Sequence, residues 1–110
     1  MQTVRNPVSP ARHRLLALCQ KLNFGRIELI PVRDGQPILD PTPATAKEVK
    51  FASDNDPRED LRRTEFLQKR QIQDFCHQLD QLQNGVIEFL EVKHGIPFKM
   101  IVRSSPGSHL

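Results

Sequence analysis

The chain has 110 residues, 37% of them hydrophobic and 26% charged, with sixteen Lys/Arg against thirteen Asp/Glu and a formal net charge of +3. That length fits one small domain that folds without disulfides or metals, and the composition excludes global disorder. No run approaches the roughly 18 apolar residues of a membrane span, and MQTVRNPVSP lacks the apolar centre of a signal peptide, so the expectation is a cytoplasmic chain with no membrane partner.

Residues 1–8 read as a flexible arm. Ser9 is an N-cap and Pro10 suits the first helical position. Ala11, Leu15, Leu18, Cys19 and Leu22 then share one face at helical spacing, with Gly25 placed to stop the helix. Asp34-Gly35 is a two-residue type I′ turn signal, because both central residues need positive φ, so a hairpin closes the first unit (9–40) with Val32 facing Pro37. Residues 41–56 read as a linker, in which KEVKFA (47–52) offers a short extra strand. Asp56 and Glu59 approach a capping box for a second helix, whose stripe is Ile72, Phe75, Cys76, Leu79 and Leu82, with Phe66 and Leu67 off the stripe. A second hairpin turns at His94-Gly95, setting Val92 against Pro97, and completes the second unit (57–103); 104–110 read as a disordered tail.

The two units are related. GRIELIPVRDGQPILD (25–40) aligns without a gap on GVIEFLEVKHGIPFKM (85–100), identical at six of sixteen positions. The expected fold is therefore α+β in a single domain: a tandem αββ repeat forming a four-stranded antiparallel sheet with both helices on one face, a permuted ferredoxin-like arrangement. The expected core is Leu15, Leu18, Leu22, Ile27, Leu29, Ile72, Phe75, Leu79, Ile87, Phe89 and Phe98.

In both first strands the alternation changes phase. Ile27 and Leu29 point one way and Ile30 and Val32 the other; Ile87 and Phe89 are likewise followed by Leu90 and Val92. Either a bulge sits at 29–30 and 89–90, or both sheet faces are covered. The second alternative makes Ile30, Val32, Leu90, Val92 and Ile101 a dimer interface, with Phe66 and Leu67 as an added contact.

Charge is uneven: residues 1–33 carry +5, 34–60 carry −4 and 61–110 carry +2. Arg5, Arg12, Arg14, Lys21, Arg26 and Arg33 could form a basic strip for nucleic acid, although the chain has no Trp or Tyr to stack on bases. Glu28 and Glu88 occupy equivalent positions and could form a paired-carboxylate site; alternating carboxylates on half-exposed strands are the commoner arrangement. His77 and His94 lack ligand spacing, Asp54-Asn55-Asp56 with Glu59-Asp60 reads as helix capping rather than a calcium loop, and Cys19 and Cys76 read as buried reduced thiols. No nucleophile or phosphate-loop motif occurs, and no cofactor is implied. The expected function is a non-enzymatic interaction or assembly domain acting as a homodimer, with a nucleic-acid-binding module as the alternative and a small paired-carboxylate enzyme third.

LLALCQKLNFGRIELIPVRDGQPI, and more loosely LDQLQNGVIEFLEVKHGIPF, resembles the YezD-type small bacterial proteins. Those combine one helix, a glycine, a strand, an Asp-Gly turn and a return strand; the second unit departs by carrying His94 in place of the turn's Asp. The resemblance implies architecture and transfers no catalytic residue.

Overall fold

The computed structural model describes residues 9–51 and 61–104, without the side chains of 61–68. Helix α1 (Pro10–Leu22) is followed by strands β1 (Gly25–Arg33), β2 (Gln36–Pro37) and β3 (Ala44–Lys47). Helix α2 (Leu61–Leu82) then leads into β4 (Gly85–Lys93) and β5 (Ile96–Ser104). The strands form one curled antiparallel sheet in the order β2-β1-β4-β5, with β3 paired to the other end of the β1 edge that β2 covers. Among the described residues no helix is long and apolar enough to cross a membrane.

Helix α1 begins where its cap predicts. The Ser9 hydroxyl accepts from Arg12 N at 3.2 Å and donates to the Gln36 side chain, tying the helix start to β2. The helix ends on Asn23 (φ 70), whose N–H reaches Cys19 O at 2.9 Å; α2 ends the same way on Gln83 (φ 61), bonded to Leu79 O at 3.1 Å. Gly25 and Gly85 are therefore not the caps. They are glycines because the neighbouring strand passes too close for a side chain: a Cβ at either would collide with the carbonyl of Ala46 or of Arg103.

Both hairpin turns have the expected geometry, with φ of 54 and 75 at Asp34-Gly35 and 56 and 77 at His94-Gly95. Val32 faces Pro37 and Val92 faces Pro97. Each turn docks on the helix of the other half. Gly35 N donates to Gln83 O at 2.8 Å, and Gly95 N donates to Asn23 O at 2.9 Å. Beside these bonds Asp34 N donates to the Asn84 side chain at 3.1 Å, whereas the His94 ring packs edge-on against Phe24 at 5.0 Å.

The core lies between the helices and a single face of the sheet. Leu15, Cys19 and Leu22 of α1 and Phe75, Cys76 and Leu79 of α2 pack with Ile27, Ile30, Val32, Ile87, Leu90 and Val92, joined by Leu39. The change of phase is thus a set of bulges. Leu29 adopts φ 55 and makes no ladder pair with β4, and the β4–β5 register slips between Ile87 and Phe89, leaving Glu88 as the extra residue. Two expected core positions consequently turn outward, Leu29 at 68% exposed and Phe89 half-buried, while Phe98, the extra residue where the β4–β5 register shifts again between Glu91 and Val92, is 48% exposed on the outer strand. Conversely, Ile30, Val32, Leu90 and Val92, expected at a dimer interface, are buried under the helices. Phe66 and Leu67 lie within α2 with side chains outside the described residues, as do the Asp56 cap and the acidic run at 54–60.

Two further expectations change. The extra strand forms at Ala44–Lys47, earlier than 47–52. The sheet order also differs from a permuted ferredoxin-like fold, which would set the two return strands side by side at the centre; here the first strands β1 and β4 are central. Pro37 has no N–H to extend the ladder, and after Ile38 N bonds Pro31 O at 2.8 Å the chain turns Leu39 into the core. A return strand of two residues cannot serve as a central strand.

These positions predict opposite responses along one segment. Leu90→Ala should cost about 2–5 kcal/mol and Leu29→Ala less than about 1 kcal/mol in urea denaturation, because only the former leaves a cavity.

Candidate interaction surface: the open face of the sheet

The face of the sheet opposite the helices is formed by the residues that the bulges turn outward, and described side chains leave much of it open. Leu29, Phe89 and Ile101 supply its apolar part; Ile101 is 48% exposed and pairs with Phe89 across the ladder. Around them stand ion pairs: Arg26–Glu28 at 3.3 Å, Lys99–Glu91 at 3.6 Å and Arg103–Glu88 at 2.5 Å, the last reinforced by Arg103 Nε at 2.6 Å. The Arg26 guanidinium also lies 5.8 Å from the centre of the Phe89 ring. Within these pairs three cations are matched by three anions. Exposed pairs of this kind contribute about 0–1 kcal/mol each to stability and mainly fix side-chain positions. A concavity of about 410 Å³ opens where Arg26, Ala46, Phe89, Glu91 and Lys99 meet.

The basic strip is not assembled. Arg12 is only 3% exposed: its Nε and Nη2 donate to Gly35 O at 3.1 and 2.9 Å, and Nη2 donates to Asp80 at 2.6 Å. It pins α1 and α2 to the first turn. Arg14 and Lys21 are exposed on α1, whereas Arg26 is on the opposite side of the sheet, engaged with Glu28, and Arg33 sits at the far end of β1. Arg5 lies outside the described residues. The sequence carried a signal for Arg12, since 12, 15, 19 and 22 form a helical stripe that is at least as regular as one starting at Ala11.

Glu28 and Glu88 both lie on this face, each with its own arginine, and neither carboxylate is left as a free acid/base partner for the other. Among the described residues no group of three or more His, Cys, Asp or Glu side chains could hold a metal. His77 is exposed, and His94 serves the turn. Cys19 and Cys76 are free and buried; burial pushes the Cys19 thiol up to about 12 and raises that of Cys76, so neither is a nucleophile at neutral pH. The face is thus apolar at its centre and rimmed by ion pairs.

Comparisons with protein-family models, curated proteins and solved structures return no match to the chain.

The two arginines of this region should behave oppositely. Arg12→Ala should lower stability by about 1–3 kcal/mol, because it strands the buried Gly35 carbonyl, while Arg14→Ala should stay within about 0.5 kcal/mol; thermal melts distinguish them.

Proposed function

We propose that the chain is a non-enzymatic interaction domain that works as a homodimer and offers its open sheet face to a protein partner. The observation that carries this reading is the open face itself, with Leu29, Phe89 and Ile101 exposed or half-exposed in one region beside self-cancelling ion pairs. A polyanion such as nucleic acid needs an uncompensated cationic surface, and the arginines expected to supply one are buried, paired or separated. Protein partners tolerate a neutral mixture of apolar and paired polar groups.

The domain is in this reading an internal duplication of an αββ unit of the YezD-type pattern. Three observations support duplication. The central register pairs Gly25 with Val92 and Val32 with Gly85, and exchanging each residue for the one sixty places away returns the same pairs. The same exchange converts the Gly35–Gln83 bond into the Gly95–Asn23 bond. It also maps the Asp34–Asn84 contact onto His94–Phe24, so the substitution of His in the second turn is matched by Phe just past the end of the helix that it meets.

Light scattering at tens of micromolar should give the mass of a dimer, and low-salt gel shifts with DNA and RNA should show no complex. A monomeric mass, or a salt-sensitive nucleic-acid complex, contradicts the reading.

A further inference from the structure

The two halves differ most at their sheet edges. On the first half the edge is broken: β2 has two residues, the chain leaves after Ile38, and β3 returns for four. On the second half the edge is one continuous strand, β5, of nine residues, and among the described residues nothing pairs with its outer side. An unpaired strand edge presents rows of backbone donors and acceptors, and it templates another strand unless it is short, broken or charged. The broken edge is protected in this way, whereas the continuous one is interrupted only by the bulge at Phe98, near its start, and runs regularly from Lys99 to Ser104.

Beside β5 runs a groove of about 280 Å³, walled by Gln71 and Gln78 of α2, with Phe75 and Leu90 at its base and Phe98, Met100 and Val102 along the strand. Phe98 is 48% and Val102 40% exposed. The two cations of this strand are neutralised from β4, Lys99 by Glu91 and Arg103 by Glu88, which removes the usual charge barrier to edge pairing.

We infer that β5 pairs antiparallel with β5 of a second copy, about a two-fold axis at Met100. Taking the homodimer reading as given, this names its interface. The register follows from side-chain chemistry. Opposed residues of an antiparallel pair share a face, so an axis at Ile101 sets Lys99 against Arg103 of the second copy, a like-charge pair. An axis at Met100 instead sets Lys99 against Ile101, Met100 against Met100, and Phe98 beside Val102. The two grooves then merge, and the half-exposed apolar row is covered from both sides by the two α2 helices. Because the opposite edge is broken, the contact closes as a two-fold dimer rather than propagating as a filament. The open faces of the copies join into one surface of twice the extent.

The test uses the full chain and its buried native thiols, which leave an introduced cysteine as the reactive one. In the Met100 register the paired Cα atoms lie about 4.5–5.5 Å apart, within disulfide reach. Met100→Cys should therefore oxidise to a covalent dimer, while Leu29→Cys on the open face should not. Val102→Lys, at a half-exposed position, should yield a monomer by light scattering with an unchanged circular dichroism spectrum. A dimer that resists Val102→Lys, that fails to cross-link through Met100→Cys, or that cross-links through Leu29→Cys overturns the edge assignment and leaves the homodimer standing. A wild-type monomer overturns both.

Discussion

The packing of this domain depends on where the alternation of its two central strands is broken. A strand that alternates without interruption would place Ile27 and Leu29 on one face and Ile30 and Val32 on the other, dividing the apolar residues between two surfaces. The left-handed backbone at Leu29 and the extra residue at Glu88 return Ile30, Val32, Leu90 and Val92 to the face already occupied by Ile27 and Ile87. Six aliphatic side chains are thereby gathered under two helices. At roughly 25 cal/mol per Å² of apolar area this gathering is the main favourable term for so small a sheet. Leu29 and Phe89 are the residues displaced by it, and their exposure gives the open face its apolar centre.

The helices are held over that face by contacts between the halves. Each glycine turn donates to the last turn of the opposite helix, so neither hairpin is anchored by its own helix alone. Arg12 adds a further contact, joining the first turn at Gly35 to Asp80 of α2. The first half thus carries a buried arginine clamp and a broken edge strand, and the second half carries a longer helix and a continuous edge. Those asymmetries leave the sheet with one interrupted edge and one continuous edge.

Much of this was legible in the residues. Asp34-Gly35 and His94-Gly95 announce both turns through the need for positive φ, Ser9-Pro10 marks the start of the first helix, and the gapless alignment points to a hairpin in each place. The phase change was visible too, but its resolution was not: a bulge and a sheet covered on both faces leave the same pattern in the sequence, and they differ only in the φ of one leucine and the register of one neighbour. Arg12 was misplaced because a charged residue in a helical stripe is normally solvated, and its partners, Gly35 and Asp80, are distant in the chain. The strand order escaped because Pro37 gave only a local hint that the first return strand would stop. The open face could not be read as a surface until the bulges had assigned Leu29, Phe89, Glu28 and Glu88 to it.

Thiol accessibility at two adjacent positions tests the break in alternation most directly. With one cysteine introduced at a time, Leu29→Cys should react with a maleimide in the native protein nearly as fast as in denaturant, and Ile30→Cys should be protected until the chain unfolds. Rapid native labelling of Ile30→Cys together with protection of Leu29→Cys would mean that the strand alternates without a bulge, and the assignment of the two sheet faces would be wrong.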